Sequence, residues 1–213
     1  MIYGADEGDR VVSLIDVLPT LLWVGFAFFV VVYLGRDLTR SLGSRLTKLQ
    51  AAGVAAEFAG VEEALDSATD ASLTAISSSQ RRGAEARARR NLDITRGIRI
   101  LWVDDQPTNN VQEKRLLESM GMAVDQVVTS NEGIEALRKA AYDLVISDID
   151  RPEDGGLGFL EKLRELALPF AVIFYITNYQ REKGLPTGAF GITNRVDELL
   201  HLVLDVVERR RLA

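Results

Sequence analysis

Two adjacent carboxylates, Asp104 and Asp105, close the apolar run Ile98-Arg99-Ile100-Leu101-Trp102-Val103. A third, Asp148, closes the run Tyr142-Asp143-Leu144-Val145-Ile146-Ser147, and a hydroxyl, Thr177, closes Ala171 to Ile176. Buried parallel strands read as near-continuous apolar runs, and α/β sheets build their sites at the carboxyl ends of such strands. Acids and a hydroxyl on neighbouring strand ends can form one acidic pocket. Oxygen ligands of this kind suit a hard cation such as Mg²⁺, and the hydroxyl can donate to a phosphoryl oxygen.

Positioning these groups requires helices between the strands. From Ile98 the apolar period alternates between that of a strand and that of a helix. Strands are expected at Ile98–Val103, Met122–Val128, Asp143–Ser147, Ala171–Ile176 and Phe190–Ile192. Helices are expected at Val111–Met120, Asn131–Ala141, Gly158–Leu166 and Val196–Arg210, with a weak one near Arg181. Repeated βα units predict a five-stranded doubly wound parallel sheet over 98–213, an α/β fold.

The stretch Asp148-Ile149-Asp150-Arg151-Pro152-Glu153-Asp154-Gly155-Gly156 gives this segment a family resemblance. It resembles the receiver domain of bacterial response regulators, which carries a proline four residues and a glycine eight residues after its phosphoacceptor aspartate. Pro152 and Gly156 match both, Asp104-Asp105 matches the acidic pair, Thr177 the hydroxyl residue, and Gly188-Ala189 the small pair before the last strand. The resemblance implies a flavodoxin-like sheet of order 2-1-3-4-5, with Asp148 as phosphoacceptor and Thr177 assisting. It implies Mg²⁺ held by Asp104, Asp105, Asp148 and the backbone carbonyl of Asp150. It also implies a histidine kinase or other phosphodonor as partner.

Departures fall on the elements that sense the phosphoryl group. An ungapped match sets Arg195 on the family's lysine, followed by Val196 instead of proline; Thr193 or Asn194 pointing inward is the alternative. The aromatic residue of the fifth strand is replaced by Ile192, with Phe190 too early. An arginine is not a neutral replacement for lysine at a tight phosphate site.

The rest of the chain suggests a membrane. Val17 to Leu34 holds no charged residue, which is long enough to cross a bilayer as a helix. Arg36, Arg40, Arg45 and Lys48 follow it, against Arg10 before it, so a single pass is expected with the N-terminus outside and the remainder cytoplasmic. The expected layout is an extracytoplasmic 1–10, a transmembrane helix over 11–35, and a juxtamembrane helical region over 36–76. A basic linker or helix over 77–97 and the receiver-like domain over 98–213 complete it. A bacterial inner membrane is the expected location. Leu38, Leu42, Leu46 and Leu49 lie at helical spacing and make a homo-oligomer plausible.

Composition narrows the chemistry further. With no cysteine, thiolate catalysis, disulfides and cysteine metal sites are excluded. The single histidine, His201, cannot build a histidine metal site. A net charge of −6 argues against nucleic-acid binding. The expected function is a membrane-tethered signalling receiver, a phosphoacceptor or binding module more than a turnover enzyme. The alternative is a non-phosphorylated pseudo-receiver that docks or oligomerises. A phosphohydrolase reading of Asp148-Ile149-Asp150 is weaker, because that family carries the motif on its first strand and Asp148 follows the third strand here.

Overall fold

Five short parallel strands lie in the order β2-β1-β3-β4-β5, as the sequence leads one to expect. The computed structural model describes residues 22–24, 26, 28–29, 53, 55–71, 74–152, 155–177 and 184–212. The chain divides into two units, Met1–Val54 and Ala55–Ala213.

In the first unit residues 22–24, 26, 28 and 29 are helical, and Leu22, Trp23, Val24, Phe26, Phe28 and Phe29 are all exposed. Among the described residues no helix is long and apolar enough to cross a membrane. The span expected between Val17 and Leu34 lies mostly outside the described residues, and the leucine stripe from Leu38 to Leu49 wholly outside them.

The second unit opens with helix α1 over residues 55–71 and helix α2, Ser78–Thr95. Then follow β1 (Arg99–Val103), a 3-10 turn (Pro107–Asn110), α3 (Val111–Ser119), β2 (Ala123–Val127) and α4 (Ser130–Lys139). β3 (Leu144–Ser147), α5 (Gly155–Glu165), β4 (Val172–Tyr175), β5 (Gly191–Thr193) and α6 (Val196–Leu212) complete it. The weak helix expected near Arg181 falls outside the described residues.

Each strand feeds two cores because successive side chains point to opposite faces. Ile100, Trp102, Leu144, Ile146, Ile173 and Tyr175 pack under α3 and α6. Leu101, Val103, Val145, Val172 and Phe174 pack under α4 and α5. Helix α4 starts where a sequence reader would start it. Thr129 and Glu132 form a reciprocal capping box, and Ile134 and Leu137 turn inward.

The N-terminal boundary differs from expectation. The compact unit begins at Ala55, not at residue 98. Val61, Leu65 and Ala68 of α1, with Ala84, Ala88 and Leu92 of α2, are buried in the same core as Leu116, Leu117 and the inner face of α6. The small side chains of Ala84 and Ala88 sit one turn apart, so α2 can approach α6 closely.

The segment expected as a basic linker or helix over 77–97 is helical, and its serine run caps α2. Ser77 and Gln80 form a second capping box. The basic tract within it contributes a docking residue. The Arg87 guanidinium donates to Asp205 Oδ1 (2.5 Å), Glu208 Oε2 (2.9 Å) and the His201 carbonyl (3.2 Å), all on α6. Buried Thr95 donates its hydroxyl to the Met120 carbonyl at 2.6 Å, fastening the end of α2 to the end of α3.

Candidate functional site

Strand register brings the acids together. β1 and β3 are adjacent and parallel, with Val103 opposite Ser147, so the residues that follow, Asp104 and Asp148, emerge side by side. The Asp148 N–H donates to the Val103 carbonyl at 3.0 Å, which extends the ladder by one residue. Carboxylate oxygens of Asp104, Asp105 and Asp148 all lie within 4.8 Å of one another. On the other side, Tyr175 pairs with Thr193 in the β4–β5 register, and the Ile176 N–H donates to the Thr193 carbonyl. The ends of β4 and β5 thereby bring Thr177 and Asn194 to the same cleft of about 400 Å³.

Local hydrogen bonds fix the acids. Asp104 Oδ1 accepts from the Gln106 N–H (2.7 Å) and Oδ2 from the Asn110 side-chain amide (2.6 Å). Asp148 Oδ1 accepts from the Asp150 N–H (3.3 Å). Burial holds Asp104 above the ordinary carboxylate range, against those two hydrogen bonds, with the adjacent Asp105 pushing the same way. Burial also raises Asp148, with the negative charges of Asp104 and Asp150 adding to the effect. Closely spaced, partly desolvated acids resist ionising together. A bound cation relieves this, and three carboxylate oxygens form the donor set a hard divalent ion prefers. The residues present therefore fit Mg²⁺.

Arg195 is the exception among the expected site residues. Its guanidinium binds both carboxylate oxygens of Asp197 (3.1 and 2.5 Å) and approaches Glu198 at 3.4 Å. Asn194, not Arg195, lines the cleft. The two acids opening α6 hold the arginine, and the neutral side chain of Asn194 faces the cleft.

Three features were not read from the sequence. The Tyr175 phenol donates to Glu113 Oε1 at 2.8 Å inside the cleft wall. Burial pushes Glu113 above its usual range and Tyr175 far above its own, the neighbouring Glu113 charge adding to the latter. Trp102 meets the Tyr175 ring edge to face, with centroids 5.9 Å apart. Ala71, from the end of α1, also lines the cleft. Finally, Arg151 is buried directly behind Asp148. An arginine three residues after the acid, with Ser147 before it, was the available signal.

Gly156 holds the loop that carries Asp148. Its N–H donates to the Ile149 carbonyl at 2.9 Å. A Cβ there would lie 2.4 Å from the Asp148 carbonyl oxygen and 2.7 Å from Phe174 Cε1. Gly156→Ala is therefore expected to destabilise the fold by about 2–3 kcal/mol, the cost of overpacking. Urea unfolding checks this, and an unchanged midpoint would refute the tight approach.

Comparison with known proteins agrees with this geometry. The family model described as "Response regulator receiver domain" matches residues 100–194. Sensor protein EvgS of Escherichia coli K12 is 36% identical over 110 residues, 49% of this chain and 9% of that protein. Transcriptional regulatory protein DltR of Streptococcus agalactiae is 32% identical over 109 residues, 48% of this chain and 49% of that protein. The chain thus spans at most about half the length of these relatives. Among solved structures, the response regulator protein TrrA of Thermotoga maritima, in complex with Mg(2+)-BeF, is 26% identical, with a TM-score of 0.46 over 51% of this chain and 98% of that one. The acidic strand ends and the sheet order agree with the match of residues 100–194 to the response regulator receiver domain.

Proposed function

We propose that the chain is a membrane-anchored signalling protein whose receiver accepts a phosphoryl group on Asp148. The observation that carries this is the convergence of Asp104, Asp105 and Asp148 within 4.8 Å, in one cleft with Thr177. A carboxylate oxygen of Asp148 attacks the phosphorus of the donor. The bond from phosphorus to the donor's leaving group breaks, its electron pair stays with that group, and an acyl phosphate remains on Asp148. Thr177 donates its hydroxyl to a phosphoryl oxygen. Asp104, Asp105, Asp148 and the Asp150 carbonyl would hold Mg²⁺, which when bound offsets the negative charge of both reacting groups. The donor is a phosphorylated histidine kinase or a small acyl phosphate.

Membrane anchoring rests on the uncharged stretch from Val17 to Leu34 and on the exposed apolar side chains its described residues present. The positive residues after it favour a cytoplasmic receiver. A second reading has one specific observation in its favour. Asn194 is neutral and Arg195 is bound to Asp197 and Glu198, so neither supplies the cation that would grip a phosphoryl group from β5. In that reading the receiver is a docking module that is never phosphorylated.

One experiment separates the two. The full-length chain is expressed, recovered with membranes after an alkaline wash, and treated with Mg²⁺ and acetyl phosphate. A mass gain of one phosphoryl group, dependent on Mg²⁺, is the expected result. No gain, in a chain whose receiver melts cooperatively, would leave the docking reading. Recovery in the soluble fraction would overturn the anchor.

A further inference from the structure

Arg151 is an arginine buried among the carbonyls and hydroxyls that shape the acidic cleft, and it is only 6% exposed. One guanidinium nitrogen donates to the Val103 carbonyl (3.2 Å), Ser147 Oγ (2.7 Å) and the Asp148 carbonyl (2.7 Å). The other donates to Ser130 Oγ (2.7 Å) and the Gly155 carbonyl (3.4 Å). These acceptors lie at the ends of β1 and β3 and at the starts of α4 and α5. The same guanidinium carbon sits 5.6 Å from the centroid of the Phe159 ring.

We propose that Arg151 is a positioning residue for phosphoryl transfer, its planar fork fixing the Asp148 main chain against the end of β1. This inference rests on the reading of Asp148 as the phosphoacceptor. Only arginine offers donors in a rigid plane that can serve this many acceptors at once. The Asp148 carbonyl and the Val103 carbonyl are held on one nitrogen, so the spacing of the two strand ends carrying Asp104 and Asp148 is set by one side chain. The positive charge also acts on Asp104, opposing the effect of its burial. With a neutral Asn194 at the end of β5, order at the nucleophile rests more heavily on this internal clamp.

The test uses the full chain with Mg²⁺ and acetyl phosphate, and reads the first-order rate constant of mass gain at saturating Mg²⁺, the final extent, and the Mg²⁺ concentration for half-maximal rate. Small displacements of a reacting group can cost on the order of 10²-fold in rate. Arg151→Met is expected to lose about that much in rate constant. Arg151→Lys keeps the charge without the fork, and is expected to recover most of the Mg²⁺ dependence but little of the rate constant. Ser130→Ala, which removes one acceptor, is expected to slow transfer several-fold and decides the matter should Arg151→Met fail to fold. A purely structural residue would lower the final extent through an unfolded fraction while the rate constant of the remainder stayed fixed, and that result would overturn the proposal. A wild-type rate constant in Arg151→Lys and Ser130→Ala would overturn it as well. A wild-type chain that gains no mass would overturn the phosphoacceptor reading, and this inference with it.

Discussion

Asp148→Asn is expected to take up no phosphoryl group from acetyl phosphate and Mg²⁺, while melting higher than the wild type in metal-free buffer. The first effect follows because an amide oxygen is not a nucleophile toward phosphorus, and neither Asp104 nor Asp105 emerges from β3. The second follows from the geometry of the acids. Burial and the charges of Asp104 and Asp150 hold the Asp148 carboxyl above its ordinary value of 3.8, so its ionised form is disfavoured in the fold. Asp104 is raised from 3.8 and Glu113 from 4.5, both chiefly by burial. A group whose folded value is raised contributes stability that is fully present below its unfolded value and is lost as pH rises through the folded one. The metal-free wild type should therefore gain stability as pH falls from neutral toward 4.5, and Asp148→Asn should gain less. Carboxyls held low, such as Asp125 with its Tyr142 and Arg99 hydrogen bonds, act in the opposite sense, below 3.8. Mg²⁺ inverts the picture because it binds the ionised acids. At a concentration 100 times its dissociation constant it should stabilise the wild type by about 2.7 kcal/mol at neutral pH, and Asp148→Asn by much less. Thermal melts with and without Mg²⁺ across this pH range check all three signs. A mass gain in Asp148→Asn would remove Asp148 as the acceptor.

What could be read from the chain in advance was whatever local pattern dictates. Apolar runs ending in acids located β1 and β3, and the parallel order of a doubly wound sheet put those ends side by side. The spacing of Pro152 and Gly156 from Asp148 marked the loop, and the approach of Gly156 to the Asp148 carbonyl at 2.4 Å from a would-be Cβ gives the reason for that glycine. What escaped was set by partners distant in sequence. Arg195 looked like a phosphate ligand until Asp197 and Glu198, in the first turn of α6, claimed it. Arg87 sat in a tract read only as a basic linker or helix, and only packing against Asp205 and Glu208 shows it to be a docking residue. Arg151 stood within the motif itself, but its value lies in acceptors contributed by four separate elements. Its neighbours in sequence name only two of them.

Removing residues 1–97 is expected to unfold the receiver, although the family match begins at residue 100. The helical pair α1–α2 buries Val61, Leu65 and Leu92, with Ala68, Ala84 and Ala88, against α3 and α6. Each fully buried Val or Leu contributes about 1.5–3 kcal/mol, so these three side chains alone offer roughly 5–9 kcal/mol before the cost of ordering two helices is offset. Whole domains are stable by only about 5–15 kcal/mol. Without the pair, Leu116, Leu117 and the covered face of α6 become water-exposed, and an apolar patch of that kind drives aggregation. A chain starting at Ala55 should keep a cooperative urea transition, whereas one starting at Ile98 should lose it or precipitate. Equal stability of the two fragments would show that α1–α2 merely rests on the domain. Leu65→Asp in the longer fragment gives the same test by a single change, placing an unpaired carboxylate at a position with 0% exposure. Because Ala71 at the end of α1 lines the acidic cleft, this pair is more than a buttress. Its loss would open one wall of the site in the same step that weakens the core. Phosphoryl uptake and stability should therefore fall together in the shorter fragment, while in Asp148→Asn they part company.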